Sequence, residues 1–244
     1  MLSIFKTKPL LKDLIPKNFV DIHSHLLPGI DDGSKSVEET ASLMTQMNGL
    51  GINHFITTPH IFTNVWDNTE AVITKKLGDT KLELKHKNCY DTFETGAEYM
   101  LDSFFLKRLE TEKLLTLKNN YLLVEMSYLN PPIQLYEILF EIQLAGYKPI
   151  LAHPERYVFY HNNYKEFHKL KNSGCLFQLN LLATVGYYGK NIEMVAEKLL
   201  QDDLYDFVGS DIHHQKHLDA LHNMVKIKSL PELEKAFNNN LFFL

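Results

Sequence analysis

The chain has 244 residues, 45% of them hydrophobic, and its 25 lysines and arginines are outnumbered by 30 aspartates and glutamates, for a net charge of -5. This length and composition are typical of one globular α/β domain and exclude a collagen-like or disordered chain. The acidic balance argues against a nucleic-acid partner, because such proteins neutralise phosphates with an excess of lysine and arginine.

Short β-rich runs alternate along the chain with longer amphipathic segments, which predicts mostly parallel strands connected by helices. The seven runs lie at 19–24, 54–58, 90–97, 121–126, 149–152, 175–180 and 206–210. The helical segments lie at 36–50, 67–87, 101–113, 133–146, 161–173, 190–203 and 217–240. With no internal repeat or long linker, we predict an N-terminal arm over residues 1–17 and a single domain over residues 18–244.

The N-terminal residues and the cysteines indicate the cellular compartment of the protein. Lysine and proline interrupt the first 17 residues, so we expect neither a signal peptide nor membrane insertion. Cys89 and Cys175 are too few for a disulfide framework or a thiolate metal site, as expected in a reducing compartment. The sequence therefore predicts a cytoplasmic protein.

Histidines and carboxylates follow six of the seven predicted strands. In both open and closed parallel sheets, chemistry gathers at the carboxyl ends of the strands. An open sheet concentrates its functional residues at one switch point, so contributions from nearly every strand favour a closed barrel with one central site. These side chains are His23 and His25, His60, Glu98, Glu125, His153, and Asp211 with His213.

The stretches "DIHSH" and "SDIHH" predict a metal site. On a strand, alternate residues share one face, so Asp21, His23 and His25 are expected to point together. Imidazoles combined with carboxylates suit Zn, Mn or Fe. With four carboxylates ionised and five histidines neutral, the shell carries about -4, which roughly balances two divalent ions. Such ions activate water and polarise phosphoryl oxygens, which favours phosphate ester hydrolysis.

Six motifs, "DIHSHLLPGIDDG", "TTPH", "TGAEY", "VEMS", "AHPER" and "GSDIH", occur in an order and spacing that resemble the polymerase-and-histidinol-phosphatase (PHP) superfamily. The resemblance covers roughly residues 18–215 and is closest to the bacterial manganese-dependent protein-tyrosine phosphatases of capsular and exopolysaccharide operons. It implies a distorted seven-stranded (β/α)7 barrel that holds three ions, Mn²⁺ with Fe or Zn as alternatives. The implied metal ligands are His23, His25, Asp32, His60, Glu98, Glu125, His153, Asp211 and His213, with Glu98 bridging two ions.

The resemblance also implies that Arg156 holds the substrate phosphate. Arg156 and Arg108 are the only arginines in the chain, and an arginine suits bidentate contact with phosphate oxygens. The alternative for Arg156 is a surface ion pair. Relatives carry a second phosphate-contacting arginine after "GSDIH", where this chain reads "HQKHLDALH"; either Lys216 or His217 substitutes, or the role is lost.

The function implied is hydrolysis of phosphotyrosine by a metal-activated hydroxide, with the tail of a bacterial tyrosine autokinase of polysaccharide export as partner. Two alternatives stay open: a small phosphate monoester such as histidinol phosphate as substrate, or a non-catalytic metal-binding module. Cysteine-based phosphatase chemistry is excluded, because the positions six residues after the two cysteines hold Thr95 and Leu181 rather than arginine.

Several neighbouring residues receive secondary roles. Asp21 is expected to orient a histidine, since metal-binding imidazoles donate their second N–H to a neighbour. Asp31 is expected in a supporting or turn role. The tyrosines at 99, 128 and 157 and the "TVGYYGK" stretch either form a lip for a phenyl ring or pack among loops. Most of the remaining histidines, at 54, 86, 161, 168, 214, 217 and 222, are expected to be ordinary surface or core residues.

Overall fold

The computed structural model describes residues 8–85 and 92–244. Cys89, His86 and residues 1–7 of the predicted N-terminal arm lie outside these residues. Within them nine β-strands occur, all paired in parallel. They are β1 (Phe19–Asp21), β2 (Ile52–Thr57), β3 (His60–Ile61), β4 (Phe93–Thr95), β5 (Glu98–Met100), β6 (Tyr121–Glu125), β7 (Lys148–Ala152), β8 (Leu176–Asn180) and β9 (Phe207–Gly209).

Helices connect most of these strands, as the sequence predicted. They are α1 (Val37–Gly49), α2 (Glu70–Lys85), α3 (Phe105–Thr111), α4 (Leu135–Leu144), α5 (Lys165–Asn172), α6 (Leu181–Thr184), α7 (Lys190–Gln201), α8 (Gln215–Ala220) and α9 (Leu230–Asn239). The fold is therefore α/β. Among the described residues, no helix is long and apolar enough to cross a bilayer.

The strands form two sheets, one in the order β1-β2-β4 and the other in the order β3-β5-β6-β7-β8-β9. The sequence predicted seven strands, and the difference arises at two breaks. Pro59 lies between β2 and β3, where it cannot donate a ladder hydrogen bond, and Gly96 lies between β4 and β5. Each break divides one extended segment into two short strands.

Contacts between the first and last strands join the two sheets. After β1 and β9, Ser24 and Ile212 form a parallel bridge, and His25 N–H donates to the Ile212 carbonyl at 2.9 Å. Within the two strands, the buried Asn240 side chain donates to the carbonyls of Val20 in β1 and Val208 in β9, at 3.0 and 2.8 Å. These bonds fix the first strand beside the last.

One long C-terminal helix was predicted over 217–240, but the structure divides this segment into α8 and α9. The apolar periodicity is present in both helices, so it did not reveal the interruption. Pro231 lies in the first turn of α9, where its missing N–H costs no helical hydrogen bond. Its position marks where the second helix begins.

The hydrophobic core has two parts. A small cluster that includes Val20, Ile22, Leu123 and Ile150 fills the space beneath the candidate site, and a larger cluster lies between the strands and the surrounding helices. Leu123 and Glu125 lie two residues apart in β6, so both point to the same side of that strand. The apolar layer therefore supports the carboxylate that follows it.

Candidate metal centre

The structure brings all nine predicted ligand side chains to one place. They form four overlapping groups, and within each group the candidate ligand atoms lie within 4.8 Å of one another. The groups are His25, Asp32, His60 and His213; His23, Glu98 and His153; His23, His25 and Asp211; and His60, Glu98 and Glu125.

The Glu98 carboxylate lies at the centre of this cluster. Its Oε2 atom is 3.2 Å from His23 Nε2, 3.4 Å from His25 Nε2 and 3.2 Å from His60 Nδ1. Its Oε1 atom is 3.1 Å from His153 Nε2. Glu98 is fully buried, so four imidazoles and one carboxylate meet with no exposure of that carboxylate to water.

The same carboxylate shows why a cation fits here. Glu98 Oε2 is buried, and no hydrogen bond of acceptable geometry reaches it, although three imidazole nitrogens surround it. The His60 Nδ1 and His153 Nδ1 atoms are buried without a hydrogen-bond partner as well. A buried charge without partners is costly, and coordination to a cation removes that cost. The nitrogen and oxygen donors present suit a divalent metal.

Asp32 closes the cluster on the solvent side. Its Oδ1 atom is 3.5 Å from both His60 Nε2 and His213 Nε2, and its side chain is 54% exposed. The "GIDDG" turn therefore brings a carboxylate over two histidines from distant parts of the chain. Asp211 lies on the buried side, where its Oδ1 atom is 3.4 Å from His23 Nε2 and 3.5 Å from His25 Nε2.

Polar neighbours hold the histidine rings in orientation. His23 Nδ1 donates to Gln178 Oε1 at 2.7 Å, and His25 Nδ1 donates to Asp31 Oδ2 at 2.8 Å. His213 Nδ1 donates to the Asp211 carbonyl at 2.9 Å. A proton held on Nδ1 leaves the Nε2 lone pair free for a metal.

The expectation that Asp21 orients a histidine ring is wrong. Its carboxylate accepts hydrogen bonds from the backbone and hydroxyl of Ser210. Strand β1 ends at Asp21. Beyond it His23 and His25 point together as expected, with their Nε2 atoms 3.4 Å apart, but Asp21 does not join them. Asp31, given a supporting role, does support His25.

Unusual backbone geometry accompanies the site. His153 has φ 37° and Asp211 has φ 52°, both in the left-handed region that non-glycine residues rarely adopt. His153 comes directly before the short 3-10 helix Pro154–Arg156, so the turn that aims its ring at Glu98 also begins the segment that carries Arg156. Strain of this kind tends to concentrate at functional sites.

Mutual interaction shifts the pKa values of the cluster. Burial disfavours the charged form of His60, but the Glu125 and Glu98 carboxylates outweigh it and raise the pKa of His60 to about 9. Burial likewise opposes ionisation of Glu98, yet His23 and His60 hold the pKa of that carboxyl well below its usual range. A divalent cation would take the place of the protons that these histidines hold.

Arg156 faces the same cavity and is fixed on three sides. Its Nη1 donates to Asp211 Oδ2 at 2.8 Å, and its Cζ lies over the rings of Tyr128 and Tyr188, 4.7 and 4.3 Å from their centroids. Asn180 Nδ2 donates to the same Asp211 oxygen at 2.7 Å. Arg156 is thus no exposed surface ion pair.

The cavity above the cluster has a volume of about 510 Å³, which suits a small ligand or one side chain of a larger one. His217 lines it, whereas Lys216 is exposed and is not part of its lining. Its wall comprises Asp32, His60, Phe62, Val65, Trp66, Glu98, Met100, Glu125, Ser127, Tyr128, Leu129, His153, Arg156, Tyr188, Asp211, His213, His214 and His217.

Of the tyrosines considered as a lip, Tyr99 and Tyr157 are buried, and their hydroxyls accept from the backbone N–H groups of Leu115 and Met126. Tyr128 and Tyr188 line the cavity. Cys175 is fully buried, and burial raises the pKa of its thiol to about 12, so it is unsuited to nucleophilic attack.

From the sequence, neither Gln178 nor Asn180 was identified as a site residue, nor was the contact of Tyr188 with Arg156. The signal was present in "CLFQLN", where glutamine and asparagine occupy alternate positions of an otherwise apolar strand. Both side chains are buried, and both contact site residues, Gln178 through His23 and Asn180 through Asp211. The sixth predicted strand therefore contributes to the site through residues that position its ligands.

Parallel strands that converge on a buried histidine and carboxylate cluster define an α/β protein built around a site able to bind metal ions. The family model for capsular polysaccharide synthesis, CpsB/CapC, matches residues 19–230, and the chain belongs to that family. This match confirms the resemblance found in the motifs.

Named relatives and solved structures agree with this membership. The tyrosine-protein phosphatase YwqE of Bacillus subtilis is 27% identical over 226 residues, covering 92% of this chain and 87% of YwqE. The tyrosine-protein phosphatase CpsB of Streptococcus pneumoniae is 30% identical over 203 residues, covering 80% and 83%. A chain from the crystal structures of YwqE and CpsB, unique metal-dependent tyrosine phosphatases, matches with a TM-score of 0.78 and 26% identity, over 92% of this chain and 90% of that chain.

A histidinol phosphate phosphatase from Lactococcus lactis, solved with zinc, L-histidinol and phosphate, matches with a TM-score of 0.50 and 12% identity, over 92% of this chain and 94% of that chain. This likeness shows a shared fold.

Proposed function

We propose that the protein is a metal-dependent protein-tyrosine phosphatase. The observation that carries the proposal is the Glu98 carboxylate, which lies within 3.4 Å of His23, His25 and His60 nitrogens in the cavity that Arg156 faces. A metal cluster beside a fixed guanidinium is suited to a phosphate ester. The relatives named as tyrosine-protein phosphatases support phosphotyrosine as that ester.

We propose that the nine side chains would hold three metal ions. The proposed metal is Mn²⁺, with Fe or Zn as alternatives. Bound ions would lower the pKa of a water molecule and polarise a phosphoryl oxygen. We propose that a distorted seven-stranded barrel presents these ligands. In this count β2 and β3 together form one barrel strand, and β4 and β5 together form another. The bridge between Ser24 and Ile212 supports closure.

Arg156 would bind the phosphate. Asp211 takes one Nη1 hydrogen, so the remaining guanidinium hydrogens are available to phosphoryl oxygens. The charge that develops on those oxygens during hydrolysis would be stabilised by a group already held in place, which reduces the reorganisation that the reaction requires. Of the two candidates to replace the family's second arginine, His217 lines the cavity and Lys216 does not, so we propose His217 as a polar contact to the substrate.

The proposed partner is a phosphotyrosine protein, the tail of a bacterial tyrosine autokinase. Because such a kinase draws on ATP, we propose a cytoplasmic location. Residues 1–17 are proposed as an arm outside the phosphatase domain at 18–244. The small-ester alternative has less support, since the histidinol phosphate phosphatase shares only the fold, and a non-catalytic module would not need a fixed Arg156 beside an intact ligand cluster.

The test compares substrates with the metal-stripped and Mn²⁺-loaded protein. We expect turnover of a phosphotyrosine peptide after loading, its loss with a chelator, and much slower turnover of histidinol phosphate. An alkylating thiol reagent should leave activity intact, because no cysteine of the described residues lines the cavity and Cys175 is buried. Faster turnover of histidinol phosphate would favour the alternative, and inhibition by the thiol reagent but not by the chelator would overturn the mechanism.

A further inference from the structure

A short hairpin follows the strand that carries His60. Phe62 N–H donates to the Trp66 carbonyl at 3.0 Å, and Trp66 N–H donates to the Phe62 carbonyl at 2.7 Å. At its tip Asn64 has φ 63°, and its N–H donates to Asp67 Oδ1 at 2.7 Å. Local hydrogen bonds therefore fix this loop next to the metal centre.

The hairpin presents apolar side chains to the cavity. Phe62, Val65 and Trp66 line the wall on the His60 side, and Leu129 lies on the rim. Val65 is 54% exposed and Leu129 is 81% exposed. Large apolar side chains left exposed at the edge of a ligand cavity mark a surface that a ligand covers.

The cavity is thus polar at the cluster and Arg156 and apolar at the rim, and this division identifies its occupant. Phosphotyrosine has an anionic group joined through one oxygen to a flat apolar ring. We propose that Phe62, Val65, Trp66 and Leu129 form a subsite for that ring and set a preference for aryl over alkyl phosphates. The inference rests on the proposed function and adds the residues that select the substrate.

An alkyl phosphate gains less from this subsite. The short chain of phosphoserine would not reach the rim while its phosphate contacts Arg156, and the polar groups of histidinol phosphate would lose water against apolar side chains. Discrimination would therefore act on substrate binding, while the metal centre and Arg156 serve all phosphates alike.

The kinetic test uses Trp66→Ala and Leu129→Ala, with Leu82→Ala as control because Leu82 is an exposed leucine of α2 away from the cavity. We expect KM for a phosphotyrosine peptide to rise about tenfold in the first two variants. The inhibition constant for inorganic phosphate should stay unchanged, since phosphate alone does not reach the rim. Leu82→Ala should match the parent protein in both measurements.

Binding without turnover supplies a second measurement. Trp66 is the only tryptophan in the chain, so its fluorescence reports on the rim. We expect a peptide carrying phosphonomethyl-phenylalanine, which is not hydrolysed, to shift the emission, and inorganic phosphate to leave it nearly unchanged. Leu129→Ala retains this probe and should weaken the peptide's effect about tenfold.

The outcomes separate this inference from the function on which it rests. If the variants lose affinity for the peptide and for inorganic phosphate equally, or if KM and emission do not change, the aryl subsite is overturned while phosphatase activity stands. A protein that binds the phosphonate peptide at Trp66 yet hydrolyses no phosphate ester would retain the subsite and contradict the proposed function.

Discussion

The guanidinium of Arg156 stacks on Tyr188, with its Cζ atom 4.3 Å from the ring centroid. Its Cζ atom also lies over the Tyr128 ring at 4.7 Å, and Nη1 donates one hydrogen bond to Asp211. A planar cation that packs over two aromatic rings is held by cation–π attraction and has little freedom to rotate. The arginine therefore offers its remaining donors in a fixed direction, which a flexible ammonium group cannot do.

Substituting Arg156 by lysine should lower kcat/KM for a phosphotyrosine peptide by about 10²-fold, although the charge is kept. Lysine loses both the stacking and the bidentate geometry. The matched control is Arg108→Lys, because Arg108 forms an i, i+4 pair with Glu112 on α3 and should change activity less than about twofold. An Arg156→Lys enzyme with near-normal kcat/KM would show that only the positive charge matters.

Glu98→Gln should weaken metal binding by more than about tenfold, since the variant removes the charged carboxylate at the centre of the cluster. The measurement is the number of bound Mn²⁺ ions per chain after dialysis. Thermal unfolding adds a second readout, because a metal that binds the folded state raises the midpoint of the parent protein more than that of the variant. Glu94→Gln, on the exposed side of β4, is the control and should bind metal normally.

Gly209→Ala should destabilise the protein and disturb the site. A Cβ atom at position 209 would lie 2.6 Å from His23 Cβ and 2.7 Å from Gln178 Nε2, so the ring and its partner must move. We expect the free energy of unfolding to fall by about 1–3 kcal/mol in urea titrations. Gly78→Ala is the matched control: nothing lies within 4 Å of its Cβ in α2, and it should stabilise by about 0.5–1 kcal/mol.

Equal unfolding free energies for the parent and Gly209→Ala, with a full complement of Mn²⁺, would mean that the close approach of β9 to His23 tolerates a methyl group.

Much of the site could be predicted because its ligands occupy positions with a clear local signal. Glu125 and His153 each lie at the end of an apolar run, and in a parallel sheet those ends meet at one edge. Asp32 was predicted from the family motifs alone. It lies in a turn, and Asp and Gly are common in turns for conformational reasons that need no metal.

The rest depended on tertiary structure that local patterns do not specify. Tyr188 lies just before α7 and contacts Arg156, which is 32 positions earlier in the chain. The parallel pairing of β7 with β8 brings the two residues together. The role of Asp21 was likewise set by Ser210, which follows β9, and that of Gln178 by the position of β8 next to β9. The breaks at Pro59 and Gly96 change the number of hydrogen-bonded strands without changing the apolar pattern that predicted them.

Glu197→Gln should reduce stability in a pH-dependent way. Glu197 Oε2 accepts from Lys228 N–H at 2.7 Å, and Oε1 accepts from the Ser229 hydroxyl at 3.1 Å, so the side chain anchors the start of α9. Burial opposes its ionisation, but these bonds outweigh burial and lower its pKa below 4.5. A carboxylate whose pKa is lower in the folded state stabilises the protein at pH values above its unfolded-state pKa. This stabilisation is lost as the pH falls through the folded-state pKa. Urea unfolding at pH 7 should show a loss of about 1 kcal/mol, shrinking below pH 4.5; a loss independent of pH, or an equal one in the exposed control Glu234→Gln, would contradict the anchoring role.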